Sequence, residues 1–290
     1  MRLDSFAKTN LYLSVRPRRR DNYHGITSVF QRISLKDTIG ITPRKDSRIK
    51  ITTNNRKLAC DSSNFAWQAA DILRKRAGLG RGVNIHITKR IPLGSGMGGG
   101  SSNAACVLLG LNRLWKLKFS LRELAKIGAK IGSDVPFFIY GCHFAVVRGR
   151  GEKIFPLNGL KKRILWQVIA VPPVNVPTKL IYQKWDELKS LRLTTAESGV
   201  KLISLALRNN DLFLLNRAIY NGLEPVTSSL FPQVRRVIEE LHAHGAQLIM
   251  MSGSGPAVFG IVSSKKEAVV LSRRVKDENP FWKVFLARTC

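Results

Sequence analysis

The feature that most constrains this chain is a run of glycines near its middle. Residues 92–105 read PLGSGMGGGSSNAA, and five of the seven positions from 94 to 100 are glycine. Without a β-carbon, such a backbone can approach a ligand closely, adopt positive φ angles and enclose an anion with successive N–H groups. We expect Ser101, Ser102 and Asn103 to cap a following helix, whose positive end would face the same point. The run therefore predicts a phosphate-binding loop rather than a flexible linker.

Three nucleotide-binding motifs resemble this loop only in part. A Walker A loop is excluded, because no Lys-Ser/Thr pair follows the second glycine. Gly94, Gly96 and Gly99 fit the G-x-G-x-x-G of dinucleotide-binding folds, but that motif expects an acidic residue after a second strand. Here one predicted helix leads into another, and Glu123 lies inside the second. A protein-kinase loop would require downstream His-Arg-Asp and Asp-Phe-Gly motifs, and the sequence has neither.

Hydrophobic periodicity predicts an irregular succession of strands and helices. The predicted strands are 7–15, 26–33, 38–42, 49–53, 83–91, a pair within 143–156, 166–171, 247–251, 257–262 and 282–287. The predicted helices are 64–73, one starting near 101, 121–131, 178–188, 199–208, 211–220, 232–244 and 265–276. Because strands and helices do not alternate regularly, the order favours an α+β fold in two lobes over a doubly wound parallel sheet.

The distribution of apolar residues, cysteines and histidines bears on membrane association, secretion and metal binding. The longest apolar stretches, such as residues 168–174, are too short to span a bilayer. No apolar segment typical of a secretory signal follows the N-terminal charges. The four cysteines are scattered without a CxxC pair, and the five histidines lack the spacing of a zinc site. We therefore expect a cytoplasmic protein with no membrane association and no metal site built from protein ligands alone.

The charge is strongly positive, with 48 Lys and Arg against 19 Asp and Glu and a formal net charge of +29. Such a chain attracts polyanions, whether nucleic acid, acidic membrane surfaces or phosphorylated small molecules. The basic residues are spread along the chain, and the one dense run is 16–20. Since no aromatic-rich RNA-binding motif accompanies them, we expect a basic solvated surface without specific nucleic-acid binding. A nucleic-acid-binding protein is the alternative from another functional class.

Five segments resemble one family. PLGSGMGGGSSNA at 92–104 is similar to the phosphate-binding loop of the GHMP kinases, which include galactokinase, homoserine kinase, mevalonate kinase and phosphomevalonate kinase. MSGSGPAVF at 251–259 resembles the C-terminal glycine loop of these enzymes. AKTNL at 7–11, DNYH at 21–24 and GSDVPFF at 132–138 resemble the branch that acts on diphosphocytidyl-methylerythritol. Departures are few: Ser95 and Met97 replace the more usual glycine and leucine, and Asn22 stands at a position where this branch often has glycine.

The resemblance implies a two-lobed GHMP kinase fold with the active site in the cleft between the lobes. An ATP-binding domain would occupy residues 1–160, and residues 161–290 would contribute to substrate binding. The expected activity is ATP- and Mg²⁺-dependent phosphorylation of the 2-hydroxyl of diphosphocytidyl-methylerythritol in the non-mevalonate isoprenoid pathway, by a monomer or homodimer. Another GHMP kinase activity is the nearest alternative, and the DNYH segment disfavours it because homoserine and mevalonate carry no cytidine.

The resemblance also assigns two catalytic residues. Asp134 would be the general base that accepts the hydroxyl proton. Lys8 would keep that carboxylate ionised and orient the hydroxyl, with Asn10 nearby. Without the resemblance, Asp134 would be interpreted as the cap of a turn and Lys8 as an exposed lysine at a strand edge.

The remaining assignments concern the two ligands. The residues implied for ATP are Asn64, Lys89, Pro92, Gly94, Gly96, Gly98, Gly99, Gly100, Ser101 and Ser102, and Ser101 is also a candidate contact of Mg²⁺. The residues implied for the substrate are Asn10, Tyr23, His24, Thr178, Tyr182, Gly253 and Gly255. His24 would bond the edge of the cytosine, and Tyr23 or Tyr182 would stack on it. A helix cap for Asn64, a solvated lysine for Lys89 and a buried helix aromatic for Tyr182 are the alternatives.

Overall fold

A computed structural model describes residues 1–160, 163–188 and 196–290 of the chain. They form two compact units, each assembled from several segments. The first unit comprises Met1–Ala7, Lys36–Leu93 and Gly98–Cys142, and the second comprises Lys8–Leu35, Gly94–Met97 and His143–Cys290. The expected domain boundary after residue 160 stays a prediction, since residues 161–162 lie outside the described ones.

The elements follow one another in the irregular order that the sequence predicts, which confirms the α+β class. The strands are β1 (Arg2–Arg18), β2 (His24–Arg44), β3 (Ile49–Thr53), β4 (Gly82–Thr88), β5 (Phe144–Gly149), β6 (Lys153–Pro156), β7 (Trp166–Val171), β8 (Tyr220–Asn221), β9 (Leu248–Met251), β10 (Val258–Val262) and β11 (Lys283–Arg288). The helices are α1 (Phe65–Arg76), α2 (Gly99–Leu114), α3 (Leu121–Gly128), α4 (Val135–Tyr140), α5 (Thr178–Glu187), α6 (Ala196–Asn209), α7 (Leu212–Ala218), α8 (Glu224–Leu230), α9 (Pro232–Ala243) and α10 (Lys265–Glu278). No helix among the described residues has both the length and the apolar character that a membrane span requires.

The long strands β1 and β2 carry the larger sheet, whose strand order is β3-β4-β2-β1-β8; β5 also pairs with β2, and β6 pairs with β5. In the first unit the C-terminal half of β2 pairs antiparallel with β4, and β3 joins β4 in parallel. In the second unit the N-terminal half of β2 pairs antiparallel with β5. There β1 pairs in parallel with the short strand β8.

A second, antiparallel sheet lies wholly in the second unit, in the order β11-β7-β10-β9. Helices α9 and α10 bury one apolar face each beside it, through residues such as Val237, Leu241, Leu271 and Val275, all at most 3% exposed. The spacing of four residues between the two side chains on each helix is that of an amphipathic helix. Burial of these side chains supplies much of the unit's stability.

Strand β2 is longer than predicted. The sequence pattern predicts two strands, 26–33 and 38–42, because Lys36 and Asp37 interrupt the apolar alternation. In the structure one strand runs through both, and Asp37 is fully buried at a core-facing position of the alternation. The prediction was wrong because a charged residue can continue a strand when its charge is paired inside the protein.

Four donors satisfy the carboxylate of Asp37. Its Oδ2 accepts from Lys89 Nζ at 2.5 Å and from Asn103 Nδ2 at 2.9 Å. Its Oδ1 accepts from the backbone N–H groups of Arg90 at 2.7 Å and Ile91 at 2.9 Å. Both members of the ion pair are buried, since the Lys89 side chain is 2% exposed and that of Asp37 is 0% exposed. One side chain therefore ties β2 to the residues that enter the glycine loop and to the helix that leaves it.

The other differences are local. Helices α4 and α8 and strand β8 are absent from the sequence prediction because they are too short to show a clear period. Helix α1 buries Ala66, Ala69, Ala70 and Leu73, whereas Phe65 at its first position is 37% exposed. The remaining elements agree with the prediction to within a few residues at each end.

The ion pair of Asp37 gives a test of the fold. We expect Asp37→Asn to lower the free energy of unfolding by about 3 kcal/mol, because the buried ammonium of Lys89 loses its counter-charge while the shape is kept. Asp4→Asn is the matched control, since Asp4 pairs with Lys36 at 2.6 Å in an exposed setting, where such pairs contribute little. Urea unfolding of both variants measures the difference. Equal losses of unfolding free energy in the two variants would contradict a structural role for the buried ion pair of Asp37 with Lys89.

Candidate active site

The glycine loop between β4 and α2 is ordered by backbone hydrogen bonds. Gly94, Gly96 and Gly98 have φ angles of 62°, 76° and 69°, which only glycine adopts without strain. Within the second unit, the carbonyl of Ser95 accepts from the N–H of Ala257 at 3.3 Å. The carbonyl of Met97 accepts from the N–H of Lys8 at 3.0 Å. The flexible-linker alternative is therefore wrong.

A second glycine loop, residues 252–255, packs directly against the first. A β-carbon on Gly96 would overlap the carbonyl oxygen of Ser252, so no other residue fits at this position without moving the backbone. Ser252 Oγ donates to the carbonyl of Gly96 at 3.1 Å. Gly253 and Gly255 also have positive φ angles, of 61° and 85°. Two loops that are far apart in sequence thus share one close contact.

Asn221 binds the second glycine loop through its side-chain amide. Its Nδ2 donates to the carbonyls of Met251 at 2.7 Å and Gly253 at 2.9 Å. Glu224 accepts from the N–H of Met251 at 2.7 Å, and burial raises the pKa of its carboxyl. These hydrogen bonds fix the loop at Met251 and at the predicted substrate residue Gly253.

Helix α2 begins two residues earlier than predicted. Its N-cap is Gly98, and Gly99, Gly100 and Ser101 form its first turn, so the predicted cap at residues 101–103 is wrong. Glycine suits the cap because its φ here is positive. The N–H groups of the first turn have no partner within a helix, and the helix dipole adds partial positive charge at this end. Gly98 to Ser101 thus retain the anion-binding character that the sequence predicts.

Two serines in this turn have different surroundings. Ser102 is buried, and its Oγ accepts from Ser5 Oγ at 2.8 Å, so its hydroxyl belongs to the internal network of the first unit. Ser101 is half-buried, and its hydroxyl makes no hydrogen bond with the described residues. The two hydroxyl groups therefore differ: that of Ser102 is engaged inside the first unit, and a contact of Ser101 with a ligand stays a prediction.

Lys89 and Asn64 both have structural partners in the first unit. The buried ion pair of Lys89 with Asp37 shows that the solvated-lysine alternative is wrong. Asn64 is the N-cap of α1, where its Oδ1 accepts from Ala66 N at 2.8 Å and its Nδ2 donates to Ala59 O at 2.6 Å. The helix-cap interpretation of Asn64 is thus what the structure has. Contacts of either side chain, or of Pro92, with adenine nucleotide stay predictions.

Lys8 is buried in the second unit rather than exposed at a strand edge. Its residue is 4% exposed, its Nζ donates to Asn10 Oδ1 at 2.7 Å, and the ammonium lies 4.5 Å from the ring centroid of Phe30. Asn10 in turn donates through Nδ2 to Ser28 Oγ at 3.0 Å. An amide oxygen and an aromatic face thus orient this ammonium.

Asp134 lies in the first unit, at the N-cap position of the short helix α4. Its side chain makes no capping hydrogen bond with that helix. The residue is half-buried.

The described part of the second unit contains a cavity of about 530 Å³, beside the β1–β2 turn and α5. It is lined by Arg18, Asn22, Tyr23, His24, Ile26, Arg150, Thr178, Lys179, Tyr182, Gln183 and Asp186. Four of the predicted substrate residues are therefore brought together here, from segments about 150 residues apart: Tyr23, His24, Thr178 and Tyr182. Asn22, with a φ of 65°, adopts the left-handed conformation in the turn beside them.

Aromatic rings and basic groups face this cavity. The rings of His24 and Tyr182 have centroids 4.9 Å apart. Tyr23 is 55% exposed, and the guanidinium of Arg150 lies 4.9 Å from the centroid of its ring. Thr178 Oγ1 is 2.9 Å from Ser254 Oγ, which links α5 to the second glycine loop. Such a lining suits a planar ring that carries an anionic group.

The sequence analysis missed four residues of the site, of which two lie at positions that a sequence pattern could have indicated. Asp186 follows Tyr182 by four residues and Thr178 by eight, so the three share one helix face. Asp37 occupies a core-facing position of an alternating strand. Arg150 and Asn221 lie in a turn and a two-residue strand, where no periodicity marks them.

Comparisons with known proteins agree with this geometry. The family model "GHMP kinases N terminal domain" matches residues 64–142, and "GHMP kinases C terminal" matches residues 203–280. A 4-diphosphocytidyl-2-C-methyl-D-erythritol kinase of Alkaliphilus metalliredigens is 43% identical over 261 residues, which is 90% of this chain and 87% of the relative. The kinase of the same name from Shouchella clausii is 40% identical over 259 residues, 89% of this chain and 84% of the relative.

Two solved structures have the same fold as this chain. A crystal structure of 4-(cytidine 5'-diphospho)-2C-methyl-D-erythritol kinase matches with a TM-score of 0.83 and 31% identity, over 99% of this chain and 98% of that chain. A homoserine kinase from Cytophaga hutchinsonii matches with a TM-score of 0.74 at 18% identity, over 100% of this chain and 94% of that chain. The second match shows a shared fold alone.

The contact between the glycine loops can be tested by a pair of substitutions. Gly94→Ala and Gly96→Ala both place a side chain at a positive φ, which costs about 1 kcal/mol of unfolding free energy. Only Gly96→Ala also clashes with the backbone of Ser252, whereas the nearest atom to a β-carbon at Gly94 is Asn175 Oδ1 at 3.7 Å. We expect Gly96→Ala to lose about 3 kcal/mol in total, measured by urea unfolding. Similar losses in the two variants would show that the loops do not depend on this contact.

Proposed function

The chain belongs to the GHMP kinases and, among them, to the 4-diphosphocytidyl-2-C-methyl-D-erythritol kinases, and we propose that it transfers the γ-phosphoryl group of ATP to the 2-hydroxyl of 4-diphosphocytidyl-2-C-methyl-D-erythritol. The observation that carries this substrate assignment is the cavity of the second unit. It brings the tyrosine rings and the imidazole expected to bind a cytosine together with basic side chains, which the sequence analysis did not assign to the substrate.

In this proposal the cavity binds the cytidine end of the substrate. Tyr23 and Tyr182 supply ring faces for stacking on the cytosine, and His24 supplies an edge for hydrogen bonding. Arg18, Arg150 and Lys179 supply the positive charge that a diphosphate requires. Thr178, Gly253 and Gly255 line the methylerythritol and diphosphate end.

The glycine loop and the start of α2 bind the phosphates of ATP through backbone N–H groups, from Gly96 to Ser101. Pro92 and Gly94 shape the entry to this loop, and Asn64 and Lys89 are the candidate neighbours of the adenine. Ser102 lies beside this turn, but its hydroxyl is engaged with Ser5 and its backbone N–H donates to the carbonyl of Gly98 at 2.9 Å, so it supports the turn instead of donating to a phosphate.

The residues present also fit a magnesium ion held mainly by the nucleotide. Mg²⁺ prefers oxygen ligands and keeps several waters, so it requires few protein groups. The hydroxyl of Ser101 makes no hydrogen bond with the described residues and lies in the first turn of α2. When bound, the ion would neutralise charge on the phosphate oxygens.

The transfer itself needs alignment and a proton acceptor. The substrate oxygen forms a bond to the γ-phosphorus while the bond from that phosphorus to the bridging oxygen breaks, which releases ADP. Asp134 accepts the hydroxyl proton. The ammonium of Lys8, held by Asn10, orients the reacting oxygen.

We infer that the protein acts in the cytoplasm as a monomer or homodimer, with no specific nucleic-acid partner. The net charge of +29 is compatible with two polyphosphate ligands. Another GHMP kinase activity is less well supported, because the relatives that are at least 40% identical carry the cytidine-substrate name.

ADP release measured with three alcohols tests the proposal. We expect turnover with 4-diphosphocytidyl-2-C-methyl-D-erythritol and none with mevalonate or homoserine. Asp134→Asn should lower kcat by about 10²- to 10⁴-fold, the usual contribution of a general base. The control is Asp211→Asn, at the N-cap of α7, where the carboxylate caps a helix through Leu214 N at 2.8 Å. It should retain turnover.

Turnover with mevalonate or homoserine would overturn the substrate assignment. Turnover that is unchanged in Asp134→Asn would overturn the role of the base and leave the substrate assignment intact.

A further inference from the structure

Asp186 lies beside His24 and has no role in the chemistry proposed above. We propose that Asp186 fixes the tautomer of His24 and thereby makes the cavity select cytosine over uracil. This inference rests on the proposed function, since it requires that the cavity hold a pyrimidine base. Asp186 acts through the imidazole, so it is a positioning residue and not a catalytic one.

The contact between the two side chains is close and largely shielded from solvent. His24 Nε2 lies 2.8 Å from Asp186 Oδ1. The side chain of His24 is 8% exposed and that of Asp186 is 30% exposed. Water therefore competes little for the imidazole, and the hydrogen bond controls where its proton lies.

Helix α5 holds the imidazole on several sides. Tyr182 lies one turn before Asp186 and places its ring centroid 4.9 Å from that of His24, at an interplanar angle of 36°. Trp185, which is 2% exposed, meets His24 edge-on at 5.8 Å. With two rings and a carboxylate packed against it, the imidazole cannot rotate freely to exchange its nitrogens.

The carboxylate determines which imidazole nitrogen carries hydrogen. An ionised carboxylate only accepts, so Nε2 must donate to Asp186. In the neutral ring Nδ1 is then an acceptor. Nδ1 makes no hydrogen bond with the described residues, and His24 lines the cavity. The pair therefore offers a bound base an acceptor and not a donor.

This acceptor distinguishes the two pyrimidines. Cytosine carries an amino group at carbon 4, which donates, whereas uracil carries a carbonyl oxygen there, which accepts. A uracil placed in the same way would set two acceptors against each other, and a site with an unpaired polar group rejects such a ligand strongly.

The charge of the cavity also indicates a specific role for this carboxylate. The other charged residues that line it are Arg18, Arg150 and Lys179, all of them basic. A carboxylate among them weakens the attraction for an anionic nucleotide. The hydrogen bond to His24 gives this position a function that offsets that cost.

Binding of CDP and UDP, measured by calorimetry at about pH 8, where an imidazole is ordinarily neutral, tests the proposal. We expect the wild type to bind CDP at least about tenfold more tightly than UDP. Asp186→Asn should bring the two affinities within about threefold, because an amide can donate to Nε2 and so turn Nδ1 into a donor. Asp186→Glu should restore part of the preference for CDP.

The control is Glu187→Gln, which removes a negative charge from the same helix. Glu187 is 61% exposed and pairs with Lys184 at 3.0 Å. It should keep the wild-type ratio of affinities. Nitrogen-15 NMR of the histidine ring gives a second readout, and should show Nε2 protonated in the wild type and a changed population in Asp186→Asn.

A ratio of affinities that stays unchanged in Asp186→Asn, or that falls equally in Glu187→Gln, would overturn the role of Asp186 while leaving the proposed function intact. An NMR spectrum in which Nδ1 of His24, and not Nε2, is protonated in the wild type would also overturn the role of Asp186. If the wild type bound neither CDP nor UDP, the cytidine assignment itself would fail, and the inference with it.

Discussion

The contact between the two glycine loops of the second unit is the constraint on which the rest of the site depends. Gly96 lies so close to the backbone of Ser252 that no side chain fits between them. The same loop accepts a backbone hydrogen bond from Lys8 through Met97. The first loop is therefore bonded to the backbone of Lys8 as well as packed against the second loop, and its glycines are required for this packing.

In the first unit, the side chain of Asp37 connects the elements that surround the glycine loop. Its four hydrogen bonds connect β2, the entry to the glycine loop and α2. A buried carboxylate is unfavourable alone, and its ion pair with Lys89 makes it acceptable. The start of α2 is thus fixed by a polar network and not by apolar packing alone. This arrangement suits a helix end whose N–H groups must stay available for an anion.

Much of this could be predicted from the sequence, because the motifs consist of residues with special backbone properties. The glycine loop, the resemblance to GHMP kinases and most elements followed from glycine positions and apolar periodicity. The N-cap of α2 was misplaced, since serine is a common cap and the positive φ of Gly98 is not visible in a sequence. Long-range partners such as Asp186 for His24 also could not be predicted, because they depend on tertiary packing across 162 residues.

The account's central claim is that this chain phosphorylates the tertiary 2-hydroxyl of a cytidine-diphosphate-linked substrate, and ³¹P NMR of the product tests it most directly. Carbon 2 of the substrate carries a methyl group and no hydrogen. The account therefore predicts a new phosphomonoester resonance without three-bond coupling to a proton, beside an intact diphosphate. A resonance split by such coupling would show transfer to a primary or secondary hydroxyl, and ATP consumption without a new ester would show no transfer. Either result would contradict the claim.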